Sequence, residues 1–216
     1  MAITFPRSFP TGVKLFRTAK FDLQRVISRN VIGGLVTQQI QLADPRWSCS
    51  YATPPVNRND AQIWKAWKDS LALNYFYGYD PEQPYPKAYP TGFAGLVEHG
   101  TATPFTGTAI DVTATTLSTI AVTGLPSTFP FKAGDLVGLV QSTNRQIHRV
   151  LEDVSAVAGV VTITVEPFVK TTLFTASATL NLVKPVCKMI VEEGSWEADR
   201  DIEDQPIAFT GIQAVY

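Results

Sequence analysis

Apolar and polar side chains alternate along both ends of this chain, and this alternation restricts the fold more than any other feature. The period of two runs from Lys14 to Ala52 and returns from Val186 to Glu192. Such a period is typical of antiparallel strands that bury one face. Because both ends carry the pattern, we expect them to pair in one sheet, with the segment between them as an insertion.

The insertion is expected at residues 101–184, where Thr, Ala, Val and Gly are frequent and charged residues are rare. Turn residues separate six strand-sized runs, at 109–113, 118–122, 136–141, 146–151, 160–165 and 178–182. Short strands at this spacing predict a small β-barrel or sandwich. The predicted domains are therefore residues 1–100 with 185–216, and residues 101–184.

One segment, residues 57–74, has the rhythm of a helix. Apolar residues that include Trp64 and Trp67 recur there at three-to-four-residue spacing, with charged residues on the other side. We expect a helix whose tryptophan face lies on the sheet. Asn59 or Asp60 is the predicted N-cap, because both side chains accept hydrogen bonds from free amides of a first turn.

An aromatic, proline-rich arm follows the helix, with the sequence LNYFYGYDPEQPYPKAYPTGF. Its prolines prevent regular structure. Tyr77, Tyr79 and Tyr85 supply rigid, amphipathic area of the kind that is enriched at protein interfaces. Two interpretations stay open: an arm that contacts another protein, and a loop that covers Trp64 or Trp67 of its own helix.

Residues that support catalysis or cofactor binding are scarce. His99 and His148 are the two histidines, and neither lies in a catalytic or metal-binding motif. Glu192 and Glu193 beside Trp196 contain the minimal components of a glycosidase, but consecutive strand residues point to opposite faces. We therefore expect surface or structural histidines and a protein with no enzymatic activity, cofactor or metal.

Charge is distributed unevenly, although the formal net charge is -1. Basic residues such as Arg25 and Arg29 predominate near the start, and acidic residues such as Asp199 and Asp201 predominate near the end. The acidic run lacks the central glycine of a calcium-binding EF-hand loop. We expect the two regions to pair with each other or with a neighbouring subunit, and nucleic-acid contact at the basic end is the alternative.

Two further features bear on where such a chain is found. No apolar run is long enough for a membrane span, and the N-terminus lacks the apolar core of a signal peptide. Cys49 and Cys187 are far apart and show no metal-binding spacing, so we expect two buried free thiols. The sequence thus predicts a soluble protein, made in a cytoplasm and without membrane insertion.

Four stretches of the chain resemble phage tail proteins: MAITFPRSFPTG, FDLQRVISRNVIGGLVTQQIQLADPRWSCSYATPP, NDAQIWKAWKDSLALN and CKMIVEEGSWEADRDIEDQPIAFTGIQAVY. Their order, with strands, a cross-packed helix and returning strands, is similar to the tail-tube fold of distal tail (Dit-like) and baseplate hub proteins. The resemblance implies a mainly β protein with a tail-tube-like antiparallel β-sandwich or barrel, one packed α-helix and an inserted small β-barrel domain.

The resemblance also implies a role as a structural virion protein in the tail of a long-tailed siphophage. The chain, made in the host cytoplasm, would form a homo-oligomeric ring, most simply a hexamer, at the distal end of the tail. The ring would join the tail tube to the hub, tail-fibre and receptor-binding proteins, and DNA would pass through it only as cargo. The residues expected at its interfaces are Arg25, Arg29, Tyr77, Tyr79, Tyr85, Trp196, Asp199 and Asp201.

Two alternatives stay open at this point. The aromatic residues Tyr77 and Trp196, together with the sandwich-like insertion, are compatible with a carbohydrate-binding tail-tip module that contacts host glycans. The same strand order would also serve another tail part, namely a tube subunit, a terminator or a head-tail connector.

Overall fold

A computed structural model describes residues 3–13, 15–32, 36–198 and 206–214. These residues form a mainly β protein, as the alternation predicts, and they contain one α-helix. The elements in chain order are β1 (Thr18–Gln24), β2 (Ile27–Ile32), β3 (Val36–Gln41), β4 (Arg46–Ala52), α1 (Arg58–Leu71), β5 (Phe76–Gly78), β6 (Ile110–Thr115), β7 (Thr119–Thr123), β8 (Pro130–Phe131), β9 (Leu136–Gln141), β10 (Asn144–Val150), β11 (Val154–Ser155), β12 (Val161–Glu166), β13 (Thr179–Asn181), β14 (Cys187–Val191) and β15 (Ala208–Gln213).

The chain divides into two compact units, each made of two segments. The sheet unit is Pro10–Asn74 with Met189–Tyr216, and the barrel unit is Met1–Phe9 with Tyr75–Lys188. This division differs from the predicted boundaries, because residues 1–9, 75–100 and 185–188 belong to the barrel unit. The physical reason is aromatic packing: the rings of Tyr89 and Phe93 lie 5.1 Å and 5.9 Å from the ring of Phe129 in the barrel core.

The sheet unit contains antiparallel strands in the order β1-β4-β15-β14. Strand β15 pairs with β4, so that Phe209 lies opposite Tyr51 and Gly211 lies opposite Cys49. A strand from the end of the chain therefore lies beside a strand from its start, as the shared alternation predicts. Cys49 is buried and free, and Cys187 is too, which confirms the expectation for both thiols.

The helix α1 is capped by Asn57, whose side-chain oxygen accepts a hydrogen bond from the Asp60 N–H at 2.9 Å. The predicted caps, Asn59 and Asp60, lie instead in the first turn. The helix begins at Arg58 because Asn57 has an extended backbone, with φ -70° and ψ 168°, that places its carboxamide under the free amide of the third helical residue.

Aromatic rings fill the space between α1 and the sheet. Trp64 and Trp67 are buried, and their ring centroids lie 6.1 Å and 5.8 Å from that of Phe209 in β15. The ring of Tyr51 in β4 lies 5.2 Å from the same phenylalanine. The tryptophan face of the helix therefore packs on the sheet, as predicted.

The barrel unit contains a closed barrel with the strand order β10-β12-β7-β6-β13-β9. The six predicted runs correspond to these six strands, so the small β-barrel predicted for residues 101–184 is confirmed. Every second residue of a strand faces the interior, where Val122, Leu139 and Ile163 are fully buried. Strands β8 and β11 form a separate two-stranded sheet in the same unit.

The proline-rich arm packs on this barrel. Tyr89 stacks on Phe129, with ring centroids 5.1 Å apart. The fully buried carboxylate of Asp135 accepts hydrogen bonds from the backbone N–H groups of Lys87 in the arm, at 2.9 Å, and of Lys132, at 2.8 Å. The arm is thus held by packing and by a buried acceptor, and it covers the core of its own unit.

Candidate protein interface

Strands β2 and β3 form a two-stranded antiparallel sheet, called here the ribbon, which is separate from the larger sheet. Their register is continuous, and a hydrogen bond of 2.8 Å from the Leu42 N–H to the Val26 carbonyl extends it by one pair. Gly33 and Gly34, between the two strands in sequence, lie outside the described residues. Within the described ranges, the two strands pair with each other alone.

The register divides the ribbon into two different faces, because side chains alternate along a strand. The apolar face carries Val26, Ile40 and Leu42 around Ser28, and its further described pair is Asn30 and Gln38. The arginine face carries Ile27, Arg29, Gln39 and Gln41.

Both faces of the ribbon are exposed. The exposed fractions are 47% for Val26, 62% for Ile40 and 65% for Leu42, and Ile27 on the other face is 39% exposed. This corrects the prediction of half-buried strands over this stretch: the ribbon is a single layer, and no second layer covers its described side chains. A lone two-stranded sheet is marginally stable in water, and grouped exposed apolar residues mark interfaces.

Both predicted interface arginines belong to the ribbon region. Arg25 is exposed directly before β2, and Arg29 is exposed in β2 opposite Gln39. Residues 25–42 contain these two arginines and no Asp or Glu. The ribbon is therefore a positively charged element as well as a partly apolar one.

The third predicted residue of the sheet unit, Trp196, is half-buried. Its ring stacks on Phe209, with centroids 5.2 Å apart and planes 22° apart, and the Lys68 Nζ lies 5.2 Å from its centroid. The ring is thus used inside its own unit by stacking and by a cation–π contact. The acidic residues Asp199 and Asp201 lie outside the described residues.

An acidic surface precedes Trp196 in the sheet unit. The carboxylates of Glu192, Glu193 and Glu197 are exposed. Ile190 in β14, opposite Ile212 in β15, is 41% exposed, so an apolar side chain lies next to the carboxylates. The residues predicted for the interface did not include this apolar component, although Ile190 shares its side of β14 with Lys188 and therefore points away from the buried Cys187 and Met189.

The three predicted tyrosines belong to the barrel unit, and each is half-buried. The guanidinium of Arg145 lies 5.1 Å from the ring centroid of Tyr77. Tyr79 packs edge-on against Phe9 at 5.6 Å, and burial raises its pKa. Tyr85 is half-buried against the barrel core. Each tyrosine therefore contributes to the packing of its own unit.

The described residues offer little that suggests catalysis. His148 is fully buried and its Nδ1 donates to the Pro167 carbonyl at 2.8 Å, which is the structural role expected, while His99 is exposed. In the described ranges, His, Cys, Asp and Glu side chains form no group of three or more that would hold a metal ion. None of the helical residues described makes a helix long and apolar enough to cross a membrane.

Comparisons with known proteins place the chain in no family. No protein-family model matches the sequence, and no curated protein matches it either. The ribbon and the acidic surface are therefore interpreted from their own residues.

Proposed function

We propose that this protein is a structural subunit that assembles with copies of itself into a ring at the distal end of a phage tail. The ribbon supports the self-assembly, because a monomer leaves its apolar face in water. The place in a tail is supported by the resemblance of the four sequence stretches, together with their order of strands, helix and returning strand.

The apolar face provides a clear driving force for association. Burying the exposed parts of Val26, Ile40 and Leu42 would contribute on the order of 1 kcal/mol per side chain. In a closed ring every copy contributes its ribbon once, so this free energy is gained at each contact. Side-chain ordering and lost rigid-body freedom oppose it, which makes assembly dependent on concentration.

As a distal tail ring, the subunit would join the tail tube to the hub and the receptor-binding proteins, and DNA would pass through the ring as cargo. A tube subunit, a terminator and a head-tail connector would also self-assemble. Electron microscopy of virions carrying an antibody against this chain distinguishes these positions. Label at the distal tail tip is expected, whereas label along the tube or at the neck would assign another tail part.

The carbohydrate-binding alternative has less support from the geometry. Its candidate platforms, Tyr77 and Trp196, each have a cationic side chain of the same chain close to the ring. A sugar platform needs an open aromatic face, so binding would first have to displace these cations.

The test of self-assembly is the mass of the full chain across a range of concentrations, measured by light scattering and native mass spectrometry. The variant Ile40→Ser/Leu42→Ser removes apolar area from the ribbon, and Ile63→Ser/Leu73→Ser removes exposed apolar area of the same kind elsewhere in the sheet unit. We expect the wild type and the second variant to form a ring, and the ribbon variant to remain monomeric with an unchanged melting temperature.

Two results would refute the proposed function. The first is a wild-type chain that stays monomeric at every concentration and is absent from virions. The second is a ribbon variant that assembles as well as the wild type, since the apolar face would then have no role in association.

A further inference from the structure

We infer that the arginine face of the ribbon docks on the acidic surface of a neighbouring copy, formed by Ile190, Ile212, Glu192, Glu193 and Glu197. This inference rests on the proposed self-assembly and names the surface that receives the ribbon. The apolar face then supplies area that is removed from water, whereas the arginine face selects the partner surface.

The arginine face has an apolar centre with cations around it. Ile27 is 39% exposed and stands two residues from both Arg25 and Arg29 in sequence. Two-residue spacing places side chains on the same side of a strand. The other described positions of this face are Gln39 and Gln41, which are uncharged hydrogen-bonding groups.

The acidic surface has the matching composition. Ile190 and Ile212 are directly opposite each other, and the adjacent pair Met189 and Gln213 is buried. Alternation therefore directs the two isoleucines to the outer side of the sheet. Residues 189–198 contain three glutamates and no Lys or Arg, and Lys188, two residues before Ile190 on the same side of β14, is the one cation at the edge of this surface in the described part of that strand.

Hydrogen bonds hold the carboxylate-bearing turn in a fixed position. The Glu192 N–H donates to the Thr210 carbonyl at 2.8 Å, and the Ser195 Oγ donates to the Glu192 carbonyl at 2.7 Å. The same Ser195 Oγ accepts from the Thr210 N–H at 3.0 Å. A turn fixed to β15 in this way needs little ordering of its backbone on binding, so that the ordering cost falls on the side chains of Glu192 and Glu193.

A second copy of this chain is the occupant that fits both surfaces. One surface has an apolar centre with cations, the other has an apolar centre with anions, and every copy carries both. Contact between two different surfaces is head-to-tail. Head-to-tail contacts form a closed ring when the rotation that relates one copy to the next brings the last copy back to the first. A nucleic acid could contact the two arginines of the ribbon, but its phosphates would be repelled by the carboxylates of the acidic surface.

Charge reversal with the full chain tests this pairing. Arg25→Glu/Arg29→Glu reverses the ribbon, and Glu192→Lys/Glu193→Lys reverses the acidic surface. Each variant alone is expected to assemble about 100-fold more weakly or worse, because like charges then face each other. Wild-type assembly should also weaken as ionic strength rises toward 1 M, where the Debye length falls to about 3 Å.

Mixing the two variants is the decisive measurement. Each reversed ribbon then meets a reversed acidic surface, so the equimolar mixture is expected to restore rings of alternating copies, visible as mixed-mass oligomers in native mass spectrometry. The matched control for the ribbon variant is Arg58→Glu/Lys65→Glu, which makes the same change in net charge as Arg25→Glu/Arg29→Glu but on the exposed side of α1, and which should assemble like the wild type.

The outcomes separate this inference from the proposed function. A wild type that forms rings, with charge variants that assemble normally or that fail without rescue in the mixture, overturns the pairing and leaves self-assembly in place. Equal loss of assembly in the Arg58→Glu/Lys65→Glu control would show a general effect of net charge and would also overturn the pairing. A wild-type chain that never associates overturns both this pairing and the proposed self-assembly.

Discussion

Acidification is expected to destabilise the barrel unit through His148. Its Nδ1–H donates to the Pro167 carbonyl at 2.8 Å, which leaves Nε2 as the nitrogen that takes up a proton. Nε2 is buried and has no hydrogen-bond partner in the described structure. A protonated ring would therefore place a cation and an unsatisfied N–H inside the protein.

The loss of folding free energy on acidification follows from the pKa of this histidine. Burial lowers the pKa from 6.5 to about 4, although the hydrogen bond to Pro167 acts in the opposite direction. The unfolded chain takes up the proton as pH falls below about 6.5, whereas the folded chain takes it up only near pH 4. The contribution of His148 to stability is thus complete above pH 6.5 and decreases by about 3 kcal/mol as pH falls to 4.

The assay compares the wild type with His148→Asn, whose amide can still donate to Pro167 but does not titrate. The free energy of unfolding is measured in urea between pH 7.5 and 4, and NMR methyl signals of Ile147 and Ile163 report on the barrel, since all four tryptophans lie in the sheet unit. We expect the wild type to lose about 3 kcal/mol more than the variant. Parallel pH profiles, or an NMR titration of His148 with a midpoint near 6.5, would refute this reasoning.

Three further substitutions test the packing. Trp67→Ala should lower the free energy of unfolding by about 3–5 kcal/mol, because the side chain is buried between α1 and the sheet; an unchanged urea midpoint would contradict this placement. Asp135→Ala leaves the N–H groups of Lys87 and Lys132 without their acceptor and should cost about 2–5 kcal/mol, with faster proteolysis of the arm as a second readout. Asn57→Ala removes the helix cap and should cost about 1 kcal/mol by thermal unfolding, whereas Asn59→Ala should change little.

The sequence predicts strands better than it predicts what covers them. A period of two reports that one face of a strand is apolar, and it correctly indicates β1, β4 and β14. It does not report whether a second layer lies on that face, so the same pattern predicts half-buried strands for β2 and β3, where the structure leaves Ile40 and Leu42 exposed. A local sign was present in Val26-Ile27, because two consecutive apolar residues place apolar groups on both faces of a strand.

The boundary between the two units was also difficult to predict from the sequence. The prolines of the arm begin at Pro81 and do not prevent the strand β5 (Phe76–Gly78) that precedes them, which the prediction of an irregular arm missed. They also do not indicate which core the tyrosines join. That choice depends on contacts distant in sequence, such as Tyr89 on Phe129 and the Lys87 N–H on Asp135. Barrel closure was easier to predict, since six short strands with alternating apolar residues bury them all by closing on themselves.

The composition of the ribbon combines two requirements that conflict. A two-stranded sheet with exposed apolar residues is open to non-specific pairing with other strands, and natural proteins limit this with charged or polar side chains on exposed strands. Here Ser28 interrupts the apolar face, and Arg29 with Gln39 occupies the opposite one. In the proposed assembly, Arg29 would keep ribbons of separate copies apart, since like charges repel, and would favour docking on the acidic surface of a neighbouring copy. One side chain would then both oppose ribbon-to-ribbon pairing and select the surface on which the ribbon docks.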